Sequence, residues 1–120
     1  MNCFENPLSH AIIKRFLTHK MAKGYWSVAG NITNPAGMTD FLAAFGPFLE
    51  AHKGQILCRE LNTDVREGNP GHFTLIIEFE NVAQAQAAYE SNQYQEMIKL
   101  RQGHCDISLS ILEEGDHASH

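Results

Sequence analysis

The 120-residue sequence has few cysteines, and they are far apart. Cys3, Cys58 and Cys105 are odd in number and form no Cys-x-x-Cys motif, which argues against both a disulfide framework and a zinc site. No two of the seven histidines form a His-x-x-x-His pair, and the chain contains neither a glycine-rich phosphate loop nor a nucleophile elbow. We therefore predict no metal and no cofactor; haem is conceivable, but no histidine is clearly placed as its axial ligand.

Basic residues are also scarce. Nine lysines and arginines stand against 14 aspartates and glutamates, for a formal net charge of −5, whereas binding to nucleic acid requires a basic patch. No stretch approaches the roughly 18 apolar residues of a membrane span. The basic first 24 residues lack the apolar run and cleavage site of a targeting segment. The sequence predicts a cytoplasmic protein that binds neither nucleic acid nor a membrane.

Four short stretches alternate between apolar and polar residues, as half-buried strands do. These stretches are Tyr25–Ile32, Gln55–Leu61, His72–Phe79 and Asp106–Leu112. One face of the resulting sheet is apolar and includes Trp26, Val28, Ile56, Cys58, Phe73, Leu75, Ile77, Phe79, Ile107 and Leu109. The opposite face, here called the polar face, includes Tyr25, Ser27, Asn31, Leu57, Arg59, His72, Ile76, Glu78, Asp106 and Ser108.

Helices are predicted between these strands. Asn34-Pro35 marks a helix start, because Asn is a good N-cap and Pro fits the first helical position. Gly46-Pro47 predicts a kink or break within that helix. Asn81 caps a further helix, and another segment runs from Gln93 to about Arg101. A similar Asn-Pro pair precedes an amphipathic helix predicted over Pro7–Lys20.

The predicted order is β-α-β-β-α-β, which is the ferredoxin-like α+β plan. We divide the chain into an N-terminal helical extension (residues 1–22), a ferredoxin-like domain (23–114) and a disordered tail (115–120). Both helices of the domain cover the apolar face of the antiparallel sheet. Cys58 is predicted to lie on that covered face as a small hydrophobic residue.

The polar face would be bare in a monomer, yet it carries Tyr25, Leu57, Ile76 and Leu112, which make it too apolar for exposure. Pairing two such faces across a two-fold axis would cover them and enclose the polar groups. The sequence therefore predicts a homodimer with a polar cavity on this face of the sheet. Such a cavity suits a small anionic or aromatic ligand.

A series of short motifs runs through the predicted domain: Gly24-Tyr-Trp, Leu49–Gly54, Arg59, Arg66-Glu-Gly68, Ile76–Phe79, Ser91–Tyr94 and Arg101. In these motifs and their order the chain resembles the DUF1330 family over about Lys23 to Glu114. The resemblance implies ferredoxin-like subunits that form a dimeric α/β barrel, but it lends no established reaction. Asn31 departs from the pattern, because relatives often have an acidic residue there.

Arg59 and Glu78 are the first candidate site residues, since both fall on the polar face in neighbouring strands. They either form a structural ion pair, or Arg59 binds a carboxylate or enolate through two parallel hydrogen bonds while Glu78 acts as a general base. His72 begins the third strand on the same face and is a second candidate acid or base.

Four more residues complete the candidate binding set. His52 ends a helix, where it interacts with the helix dipole, and the resemblance adds a possible site role. Arg101 either caps the last helix or reaches over the cavity mouth. Asn31 and Tyr94 are the remaining candidates.

These features favour a small-molecule-binding homodimer. One alternative is a cofactor-independent enzyme that performs proton transfer or oxygenation on a small anionic or aromatic substrate. Another is a purely structural dimerisation module. Fold alone does not decide between them.

Overall fold

The structure is a computed structural model that describes residues 22–118. Nearly all of the predicted N-terminal extension, including the helix over Pro7–Lys20, lies outside the described residues. The elements, in chain order, are β1 (Gly24–Ile32), a 3-10 turn (Pro35–Met38), α1 (Thr39–His52), β2 (Gln55–Glu60), β3 (Phe73–Phe79), α2 (Val82–Glu90), α3 (Asn92–Arg101) and β4 (Cys105–Glu113).

The four strands form one sheet in the order β2-β3-β1-β4, and every neighbouring pair is antiparallel. β1 and β3 are central, while β2 and β4 form the edges. This is the predicted ferredoxin-like α+β fold, and the predicted strands agree with the observed ones to within about a residue.

The helix ends follow local capping rules. Asn81 caps α2 by accepting a hydrogen bond from the Gln84 amide at 2.8 Å, and Ser91 caps α3 in the same way through Tyr94. The predicted break at Pro47 does not occur, because α1 runs unbroken through it. Pro47 is exposed, as is Ala43, whose carbonyl loses its helical donor, so water can bind that carbonyl.

Trp26 lies at the centre of the core between the sheet and the helices. It is 1% exposed, and its indole Nε1 donates a hydrogen bond to the Ala85 carbonyl at 2.8 Å. This bond ties β1 to α2 and satisfies the polar atom of the buried ring. Ring centroids lie within 6 Å of the indole on four sides, and those rings belong to Phe48, Phe79, Tyr89 and Tyr94.

A β-bulge in β2 changes the predicted facing of several side chains. Ile56 pairs with Ile77, but Cys58 pairs with Ile76 and Arg59 with Leu75, so Leu57 is an extra residue. Directly opposed residues in an antiparallel pair point to the same face. Arg59 therefore shares the helix-covered face with the buried Leu75.

The facing predicted for Cys58 and Arg59 was thus wrong, because the extra residue reverses the alternation after Ile56. Cys58 is exposed on the uncovered face instead of lying in the core. Arg59 and Glu78 lie on opposite faces of the sheet and form no ion pair with each other.

No described helix covers the outer face of the sheet. This face corresponds to the predicted polar face, except that Cys58 lies on it and Arg59 does not. Leu57 and Leu112 are 49% and 48% exposed there, and Tyr25 and Ile76 are half-buried.

Residues 115–118 of the predicted tail form no helix or strand, although His117 lies 3.2 Å from the Glu113 carbonyl. Within residues 22–118, no helix is long and apolar enough to cross a bilayer.

Candidate functional site

A cavity of about 470 Å³ lies between the helices and the sheet. We call it the helix-face cavity. Its walls come from all four strands, the 3-10 turn, α1 and α3, and the lining residues are Trp26, Val28, Ile32, Pro35, Met38, Phe41, Leu42, Phe45, Arg59, Leu61, Phe73, Leu75, Ile77, Tyr94, Arg101, Cys105, Ile107 and Leu109.

The mouth of the helix-face cavity lies between α1 and the end of β2. Leu42 on α1 and Leu61 just after β2 both line the cavity, yet they are 55% and 62% exposed. This cavity is separate from the one predicted on the polar face, which would need a partner chain to enclose it.

Two cationic side chains enter an otherwise apolar lining. They are Arg59, turned inward by the bulge, and Arg101 at the C-terminal end of α3. The described lining contains no Asp, Glu or His, and neither arginine has a carboxylate within ion-pair distance in the described part of the chain. The cavity therefore carries uncompensated positive charge.

Arg101 is the more confined of the two arginines. Its Nε is buried and has no hydrogen-bond partner among residues 22–118, while its guanidinium lies 5.8 Å from the centroid of the Phe41 ring. Burial lowers the pKa of this guanidinium, but the neighbouring Tyr94 hydroxyl and Cys105 thiol raise it more, to a net value above its ordinary one. Arg101 therefore stays charged and presents an unused donor.

Tyr94 closes the cavity beside Arg101. It is 2% exposed and belongs to the ring cluster around Trp26. Burial raises the pKa of its phenol above the ordinary value of 10.0, and the Arg101 guanidinium opposes that rise because it favours the phenolate. At neutral pH the hydroxyl is protonated and can donate or accept a hydrogen bond.

The structure therefore brings together three of the predicted site residues, Arg59, Tyr94 and Arg101. Arg101 is the last residue of α3 and lines the helix-face cavity.

Glu78 lies apart from them on the outer face. It is half-buried beside Tyr25, whose pKa is raised by burial and by the carboxylates of Glu114 and Glu78. Glu78 also lines a separate recess of about 440 Å³ at one end of the sheet, with Lys23, Lys53, Gln55, Phe79, Glu80 and Asn81. It cannot act on a ligand in the helix-face cavity.

Asn31 and His72 contact each other across the ends of β1 and β3. The His72 amide donates to Asn31 Oδ1 at 3.3 Å, and His72 Nε2 accepts from the Ile32 amide at 3.4 Å. Neither residue lines the helix-face cavity. Their contacts support a structural role that holds the strand ends together.

His52 is also outside the cavity. Its Nε2 lies 3.2 Å from Gln93 Oε1, and its ring lies 4.8 Å from that of Phe48. These contacts join the end of α1 to the start of α3.

Regular alternation did not predict the inward turn of Arg59, although the sequence contains a signal for it. Ile56 and Leu61 are both apolar but lie an odd number of residues apart, so they cannot share a face of a regular strand. A bulge between them reconciles the two positions, and it moves Arg59 together with Leu61 to the face of Ile56.

Comparison with known protein families gives one match. The family model of DUF1330, described as a domain of unknown function, matches residues 23–115. This range contains every described strand and helix. Comparison with curated proteins gave no match.

Solved structures with a similar fold include a protein of unknown function from Rhodopseudomonas palustris, at 18% identity and a TM-score of 0.59, covering 88% of this chain and 93% of that one. A hydroxynitrile lyase from Passiflora edulis has 15% identity and a TM-score of 0.52, covering 81% and 97%. A proposed antibiotic biosynthesis monooxygenase from Nitrosomonas europaea has 13% identity and a TM-score of 0.51, covering 81% and 91%. Identities this low show a shared fold and nothing more.

The environment of Tyr94 predicts a specific alkaline titration. The difference in absorbance at 295 nm between the wild type and Tyr94→Phe should titrate with a midpoint above pH 10.0, because burial raises the pKa of this phenol. Arg101→Gln should move the midpoint further up, since it removes the charge that favours the phenolate. A midpoint at or below 10.0 would contradict the burial of Tyr94.

The raised pKa of Tyr94 also makes the free energy of unfolding depend on pH. Above about pH 10 the unfolded chain loses the Tyr94 proton while the folded chain keeps it, so the free energy of unfolding falls as the pH rises towards the folded pKa. Urea titrations at several pH values should show a smaller fall for Tyr94→Phe than for the wild type.

Proposed function

Because this chain belongs to the DUF1330 family, whose function is unknown, we propose its role from the site: it is a homodimeric protein that binds a small molecule in the helix-face cavity. The observation that carries this proposal is an aromatic-walled cavity whose only charged side chains, among residues 22–118, are two arginines without a carboxylate partner.

The size and walls of the cavity fit a small organic ligand. Its volume of about 470 Å³ lies within the range of about 300 to 1,000 Å³ usual for ligand pockets, which combine apolar walls with few polar groups. Apolar side chains around empty space lose dispersion contacts. An apolar ligand would restore those contacts and would be oriented by the arginines.

Binding is favoured over the enzyme alternative. Glu78 and His72, the candidate acid and base, do not reach the cavity. Two similar structures are named for enzymes, but at 13% and 15% identity they lend the fold alone. A purely structural module is less favoured, because it has no use for unpaired arginines in a cavity.

The homodimer part of the proposal rests on the outer face. Leu57 and Leu112 are about half exposed there, beside the half-buried Tyr25 and Ile76, with no described element above them. Packing two outer faces across a two-fold axis would remove this apolar surface from water. The helix-face cavity would remain open on the other side of each sheet.

Binding can be tested with prodan, a neutral naphthalene ketone whose emission shifts to the blue in apolar surroundings. We expect saturable binding of one prodan per chain. Leu109→Trp should weaken it by about tenfold, because the larger ring occupies the cavity.

Gln86→Trp is the matched control, since it adds the same ring at an exposed position on α2 and should leave prodan binding unchanged. Far-UV circular dichroism establishes that each variant is folded. No saturable binding to the wild type, or equal binding by both variants, would count against a ligand site in the helix-face cavity.

Dimerisation is tested by sedimentation equilibrium at micromolar concentration. The wild type should have twice the mass of one chain. Ile76→Arg should yield monomers, because it places a charge in the centre of the proposed interface. Leu100→Arg, a matched change at a 39% exposed position on α3, should remain dimeric. A monomeric wild type would refute the proposed dimer.

A further inference from the structure

The donors in the helix-face cavity define a ligand class. We infer that the ligand is a small aromatic carboxylate whose single anionic group binds Arg101. This inference rests on the proposed binding function and narrows it to one chemistry.

One donor of Arg101, its Nε, lacks an acceptor, although the rest of the guanidinium has the Tyr94 hydroxyl and the Cys105 thiol beside it. A buried donor without a partner loses its hydration and gains nothing in exchange, so such atoms are rare in folded proteins. Arg101 Nε is such an atom. A carboxylate is the natural complement, because its two oxygens match the planar fork of a guanidinium.

The remaining polar atoms of the lining limit the ligand to one polar end. Trp26 Nε1 is already bonded to the Ala85 carbonyl, and Cys105 Sγ lies 3.8 Å from the Arg101 carbonyl oxygen. The Tyr94 hydroxyl already interacts with the Arg101 guanidinium, which leaves mainly the two arginines to recognise polar groups. A sugar or nucleotide would have to bury many hydroxyls without partners, which is costly.

The two arginines do not come from the same part of the sheet. Arg59 extends from edge strand β2, whereas Arg101 lies four residues before the opposite edge strand, β4. Arg59 is exposed near the mouth, and Arg101 is half-buried. We assign the carboxylate to Arg101, where the unpartnered donor lies, and assign Arg59 to attracting the anion on entry.

The body of the ligand is predicted to be aromatic. Five ring-bearing side chains line the cavity: Trp26, Phe41, Phe45, Phe73 and Tyr94. Flat rings pack well in offset or edge-to-face arrangements against such walls. Phe41 also stacks against the Arg101 guanidinium, which places an aromatic wall directly beside the proposed carboxylate site.

The test compares two probes of the same shape, 2-naphthoate and 2-naphthamide, as competitors of prodan. We expect the carboxylate to displace prodan from the wild type at a concentration about tenfold lower than the amide, as charge-assisted hydrogen bonds are stronger than neutral ones. Arg101→Gln should remove that preference. Lys99→Gln, which removes an exposed charge from the same helix, should retain it.

A second variant covers the case in which Arg101→Gln fails to fold. Arg101→Lys keeps the charge but lacks the Nε donor, and should show an intermediate preference. Prodan binding without any preference for the carboxylate in the wild type would overturn this inference and leave the proposed function standing. A preference that survives both Arg101 variants would overturn it as well, and absence of prodan binding would instead count against the proposed function.

Discussion

The chemistry of the cavity depends on one extra residue in an edge strand. Without Leu57 as a bulge, regular alternation would place Arg59 on the outer face opposite Thr74, away from the helix-face cavity. With the bulge, Arg59 pairs with Leu75 and faces the helices. The Glu78 carboxylate therefore lies on the outer face of the sheet, and the Arg59 guanidinium lies on the helix-covered face.

The aromatic core holds the cavity open. Trp26 is fixed by its hydrogen bond to Ala85 and by the surrounding rings, so it connects β1 to all three helices at one end of the sheet. Phe41 and Phe45 of α1 line the helix-face cavity together with Trp26. The same layer therefore provides close packing for stability and an open pocket for a ligand. Arg101 lies at the end of α3, where the helix meets that space.

The fold could be predicted from the sequence because its signals are local. Alternation over Phe73–Phe79, the cap at Asn81 and the small residues of α2 each favour one element, and together they specify the order of a ferredoxin-like domain. The cavity could not be predicted in the same way, since its shape depends on how far α1 stands from the sheet. Arg101 was among the candidates, but its unpartnered Nε is a property of the packed structure alone. The predicted face of Arg59 was wrong because parity assumes a regular strand. The odd spacing of Ile56 and Leu61 indicates that β2 is interrupted by a bulge.

A crystal structure of the full chain tests the central claim most directly, because it determines the pairing of β2 and the state of the cavity together. We expect Arg59 opposite Leu75, an open helix-face cavity, and the Arg101 side chain lining it with no carboxylate partner from the chain. A regular β2 with Arg59 opposite Thr74 on the outer face, or helices packed against the sheet with no space between them, would contradict the account.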